Sequence, residues 1–309
     1  VKFQPNTGMF IGRQYRSSEY RGALNAQGAE DNPIVFTSFS STPAPGAWEG
    51  VKFRDETQDA ETILRHCIFE YGGDNPGDGL VLISDSSPQF SHCTVRYSES
   101  DGIRCEGADA APSISNCVVS GNNGQGVYIE SGTPTVDGCT ISGNGGKGVY
   151  GRASSATIRN CSLRQNGGSG MAWEKDSAPT VANNTISNNT GSAVSVEPVV
   201  DLSGFADNSA SGNSGDFIEI QDGIISVNRT WKKLNMPYVV AGNVTVSHSR
   251  ADGTVATLTI EPGVVVKFQP NTGMFIGRQY RSAEYRGALN AQGTMENKII
   301  FTSESKPLS

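Results

Sequence analysis

Short runs in which apolar and polar residues alternate recur through the middle of the chain, nearly all after a glycine: GLVLI at Gly79, GIRCE at Gly102, GVYIE at Gly126, GVYGR at Gly148, GMAWE at Gly170 and AVSVE at Ala193. Alternation sends successive side chains to opposite faces of a strand. It predicts inward pairs Leu80/Leu82, Ile103/Cys105, Val127/Ile129, Val149/Gly151, Met171/Trp173 and Val194/Val196. One outward column is then Val81, Arg104, Tyr128, Tyr150, Ala172, Ser195, and the next is Ile83, Glu106, Glu130, Arg152, Glu174, Glu197. A second strand places Phe90, Ile114, Val136, Ile158 and Val181 inward. After a bend, a third carries Cys67, Cys93, Cys117, Cys139 and Cys161, with Asn184 taking the same place in the next copy, and beside them Val95, Val119, Ile141, Leu163 and Ile186. Asn122, Asn144, Asn166 and Asn189 follow at a turn, where stacked asparagines can hydrogen-bond along the axis and tolerate unusual backbone.

The period of these columns is about 22–26 residues, which is that of a solenoid. Three short strands per coil, with like residues superposed at the interstrand spacing of about 4.8 Å, predict an all-β, right-handed parallel β-helix. Helical periodicity is confined to a turn near Arg54 to Leu64. A β-sandwich would not require superposed columns.

A second, longer repeat encloses the first. Residues Val1 to Gly28 return as Val266 to Gly293, an offset of 265, with one change, Ser18 to Ala283. PIVFTS at Pro33 is then answered by KIIFTS at Lys298. The expected division is residues 1–225 as one β-helical unit lacking its entry strands, irregular through DLSGFADNSASGNSGDFIEI, and 226–309 as a junction with the opening coils of the next unit. Val1-Lys2-Phe3-Gln4 reads as the middle of a strand, so the natural protein is expected to continue upstream.

Composition narrows the function classes. A formal net charge of −7 and no basic stripe argue against nucleic acid as a partner. No run approaches the roughly 18 apolar residues of a membrane span. None of the six cysteines lies in a C-x-x-C pair, and all fall at inward positions, so buried reduced thiols are expected rather than a metal or redox centre. No cofactor is implied.

The segments TLTIEPGVVVKFQ at Thr257, GALNAQG before NPIVFTS, and HCIFEYGG at His66 resemble those of bacterial and archaeal cell-surface proteins with right-handed β-helix repeats. The resemblance covers most of the chain. It implies secretion and attachment to a cell envelope or extracellular matrix, and it names no ligand.

Several outward residues are candidates for chemistry. Arg104, Tyr128 and Tyr150 form a column on which sugar rings could stack, or a packed surface ladder. Glu106, Glu130, Arg152, Glu174 and Glu197 form a charged ladder that reads either as a solvated surface or as an acid/base pair of glycosidase type. Asp78 and Asp101 precede glycines and suit either tight turns or Ca²⁺. The loop Arg13, Gln14, Tyr15, Arg16 to Tyr20 and Arg21 is either an interface or a solvated insertion. The expected function is a non-catalytic structural or adhesive rod or filament built from neighbouring copies of the same unit. A carbohydrate-binding module for extracellular polysaccharide, or a polysaccharide lyase or glycoside hydrolase, are the alternatives. The Asp-Asp, His-Gly and Arg-Ile-Lys pattern of polygalacturonases and the Asp-Pro-His of alginate epimerases are missing from the sequence.

Overall fold

The computed structural model describes residues 1–15, 18–250, 252–280 and 283–305. The chain coils as a parallel β-helix with three faces. One face is a twelve-stranded sheet running from Gly8–Ile11 to Ile300–Ser303, here called the long sheet. The chain then crosses a second face of eight strands, Asn25–Gln27 to Phe205–Ala206, and a third of nine, Lys2–Phe3 to Ser209–Ser211. Beyond Ser211 the chain between strands of the long sheet forms two new sheets, of which Gly223–Ile225, Val244–Val246 and Met274–Ile276 form the one that follows the long sheet in chain order. Arg229–Trp231, Val255–Ile260 and Ala283–Ala291 form the other. Among the described residues the one helical element is the 3-10 turn Asp59–Glu61, inside the stretch expected to turn.

The columns read from the sequence are in register. Ile103, Val127, Val149, Met171 and Val194 pair along the long sheet, as do Cys105, Ile129, Gly151, Trp173 and Val196. All ten of these residues are buried. The expectation is wrong by one residue in the first of these coils: Val81 and Ile83 face inward with Ile103 and Cys105, and Leu82 stands in the Arg104 column. Leu82 is nonetheless only 1% exposed, held between Lys52 and Arg104 on the flanking coils. A run of four apolar residues has no alternation from which to read the frame.

Two internal ladders tie the coils together. Each asparagine of the turn column donates from Nδ2 to Oδ1 of the next, over Asn122, Asn144, Asn166, Asn189 and Asn213 at 2.8–3.0 Å. The same Oδ1 atoms accept the backbone N–H of the previous asparagine, and each Nδ2 also donates to a backbone carbonyl of the core. Ser98 opens this ladder by donating its N–H to Asn122, and Asp216 closes it by accepting from Asn213.

The cysteine column works in the same way. The Sγ atoms of Cys117, Cys139 and Cys161 accept the N–H of the cysteine one coil earlier at 3.3–3.4 Å, and the role passes to Asn184 and Asn208. Sulfur here replaces an amide oxygen as acceptor, which explains why cysteine and asparagine share one column. All six cysteines are buried and unbridged. Burial pushes the Cys105 thiol up to about 12.

The irregular stretch after Asp201 falls where the sheets of the second and third faces end. The long sheet nonetheless passes through it: Ser192–Val196 pairs with Gly215–Ile220 across a bulge, then with Tyr238–Val240 and Val265–Phe268 in turn. The Arg/Tyr loop is an antiparallel hairpin, Arg13–Tyr15 against Ser18–Tyr20, and it recurs as Arg278–Tyr280 against Ala283–Tyr285. Tyr20 and Arg21 are exposed, and Arg16 lies outside the described residues.

Candidate functional site

The long sheet displays the outward residues singled out in the sequence, and the structure brings most of them into one network. Arg104 is the hub. Its guanidinium lies 3.1 Å from Glu106, 3.6 Å from Glu130 and 3.7 Å from Asp101, and stacks 4.1 Å from the Tyr128 ring centroid. The Tyr128 hydroxyl donates to Glu130 at 3.1 Å. Arg152 reaches Glu174 at 3.3 Å and Glu130 at 3.8 Å, so the two arginines between them engage three of the glutamates. Glu197 accepts the backbone N–H of Lys175 at 2.6 Å.

Strand register explains this geometry. Glu106, Glu130, Arg152 and Glu174 are consecutive rungs, so like charges would face one another unless a cation from this column or the adjoining one intervened.

The network also packs against both aromatic rings. Tyr128 is 8% exposed, with Arg104 on one face and Tyr150 edge-on at 5.3 Å. Lys147 lies 4.0 Å over the Tyr150 ring. Burial, followed by the hydrogen bond to Glu174, raises the Tyr150 phenol above its ordinary value. Tyr150 is only partly buried.

Asp78 and Asp101 each have their own partners. Asp78 accepts from Lys52 at 2.6 Å and from Asn75 at 2.8 Å. Asp101 accepts the N–H of Gln125 at 2.7 Å and faces Arg104; burial raises its carboxyl despite both. Lys52 is almost fully buried. Burial opposes its charge, but Asp78 and Glu49 outweigh that and hold the ammonium above its ordinary value. Among the described residues no three His, Cys, Asp or Glu side chains converge as metal ligands would.

The sequence reading missed one feature of this face. After Tyr150 the outward column falls to Ala172 and Ser195, and the missing bulk leaves a polar depression of about 240 Å³ rimmed by Lys147, Glu174, Glu197 and Gln221. Two small residues following two tyrosines were the available signal.

Three faces of stacked, in-register parallel strands define a β-helix protein. The chain belongs to the right-handed β-helix family: the model described as "Right handed beta helix region" matches residues 21–152 and 101–300. A 93-residue segment, 30% of this chain, is 31% identical to Protein bark beetle of Drosophila melanogaster; the match spans 2% of that protein's length. Among solved structures, the A-module of the Azotobacter vinelandii mannuronan C-5 epimerase AlgE6 is similar at 16% identity and a TM-score of 0.40, over 91% of this chain and 72% of that one. Pectate lyase Pel9A is similar at 14% identity and a TM-score of 0.31, over 95% and 68% of the two chains. No helix among the described residues is long and apolar enough to cross a membrane.

Proposed function

We propose that this sequence is a segment of a non-catalytic structural and adhesive protein, secreted or held at a cell surface, in which β-helical repeats follow one another as a stiff rod. One observation carries the reading. The second copy of the opening coil sits in register on the last strands of the repeat before it, Val266 opposite Tyr238 and Met274 opposite Val244, and Val266 is fully buried there. The end of a repeat is therefore shaped to receive the beginning of one. A solenoid leaves unpaired edges only at its ends, and continuation covers them.

The outward face supports the non-catalytic half of the proposal. Retaining glycosidases need a pair of carboxyl groups free to attack and to protonate. Here Glu106, Glu130 and Glu174 are engaged by Arg104, Arg152 and Tyr128. Incubation with uronate-containing and neutral polysaccharides is expected to yield no unsaturated ends, no new reducing ends and no change in uronate epimer ratio. Product formation that Glu130→Gln abolishes would overturn this reading and make the ladder an active site.

A further inference from the structure

We infer that successive repeats are turned by one face, a third of a turn, about the rod axis, and that the last coil described here is the seat for residues 50–70 of a second copy of the sequence. This rests on the tandem reading above and adds its geometry.

The turn follows from a count. Thirty-three strands precede Val265–Phe268, and two of them, Arg13–Tyr15 and Ser18–Tyr20, are hairpin arms outside the coil. Ten of the remaining strands lie in the long sheet, and Lys2–Phe3 comes one face before the first of them, so its counterpart Val265–Phe268, the eleventh long-sheet strand, stands ten turns and one face further on. The repeat is thus not a whole number of coils.

Pairing in the two copies shows the same offset directly. Lys2–Phe3 pairs with Ile34–Ser38 on the third face, Lys2 opposite Thr37. The equivalent Val265–Phe268 pairs with Ile300–Ser303 on the long sheet, Lys267 opposite Thr302. The register is identical and the face is not. Likewise Gly8–Ile11 starts the long sheet, whereas its counterpart Met274–Ile276 lies on the sheet that follows the long sheet in chain order. Nearly identical sequence folds into the same coil in both places, one face further round the second time.

What covers the last coil is read from the first. Phe36 is 2% exposed and stacks on Phe69 at 4.8 Å, while its counterpart Phe301 is 46% exposed. Ile11 is 6% exposed opposite Phe53, while its counterpart Ile276 is 42% exposed. The surface of the last coil is therefore the one that Gly50–Phe53, Ile63–Arg65 and Cys67–Glu70 cover in the first copy, and a second copy of those strands fits it rung for rung.

With strands about 4.8 Å apart, each repeat advances the rod by about 50 Å. The Arg104 ladder and the Arg/Tyr hairpin then return to the same side only at every third repeat, roughly 150 Å along. Equivalent surfaces face three ways, so the rod presents each of them all round its axis.

The test is a structure, by crystallography or electron cryomicroscopy, of a chain of two repeats: residues 1–309 followed by a second copy of residues 45–309. The expected result is one continuous solenoid in which the second copy's Ile103–Glu106 and Val127–Glu130 extend the face of Gly223–Ile225, Val244–Val246 and Met274–Ile276. If those strands extend the long sheet instead, the one-face turn is wrong while the rod stands. If the two copies form separate bodies with Phe301 still uncovered, the tandem reading fails and this inference with it.

Discussion

Asn166→Ala is expected to destabilise the protein by about 3–5 kcal/mol, an effect of the size that follows from taking a hydrogen bond from each of several buried polar groups. Asn166 is fully buried, and its Oδ1 accepts both the backbone N–H and the Nδ2 of Asn144. Its Nδ2 donates to the Ile141 carbonyl and to Asn189. Alanine removes one amide and takes a partner from four groups, none of which can reach water. Unfolding by denaturant, followed through the buried Trp48, Trp173 and Trp231, measures the loss. Asn123→Ala, at an exposed position beside the same ladder, is expected to change stability by less than about 0.5 kcal/mol. Equal effects from the two substitutions would show that the ladder does not hold the coils together.

Gly151→Val carries the second large effect. A Cβ at Gly151 would lie 2.1 Å from Cζ3 and 2.2 Å from Cε3 of Trp173, and that ring is fully buried. Trp173 fills the space that glycine leaves one coil earlier, so a branched side chain has nowhere to go. The expected cost is about 3 kcal/mol or more. Trp173→Val alone leaves a cavity and costs about 3–5 kcal/mol, less whatever the unpartnered indole Nε1 now costs. The two changes together give valine at both positions and restore an unbroken aliphatic column between Ile129 and Val196. The double variant should cost clearly less than the sum of the single ones, with a coupling of about 2 kcal/mol. Additive losses would mean that the glycine and the tryptophan are not a matched pair.

Much of this architecture was legible because a solenoid writes each structural demand once per coil. Asn122 to Asn189 and Cys93 to Cys161 recur at the coil period, and both columns were readable as ladders without coordinates. Asn208 and Asn213, which extend those ladders, were hidden where the coil length changes and the neighbouring apolar column lapses into Ala210. The frame of Leu80 to Ile83 was lost because the run is apolar on both faces.

The site was less legible than the fold. Period-two alternation correctly sends Tyr128 outward, but it says nothing about whether Arg104 then lies across the ring. Outward and exposed are different properties on a surface crowded with long side chains. The one-face offset is a further case: the 265-residue period is plain in the sequence, whereas its remainder of one strand emerges only once every strand is placed on a face.

The most direct test of the tandem-rod account is the length of particles formed by one, two and three repeats, measured by small-angle X-ray scattering or electron microscopy. The account predicts single unbranched rods of constant width whose length grows by about 50 Å with each added repeat. Particles that instead lengthen irregularly, bend at a joint between repeats, or grow in width rather than length would contradict it.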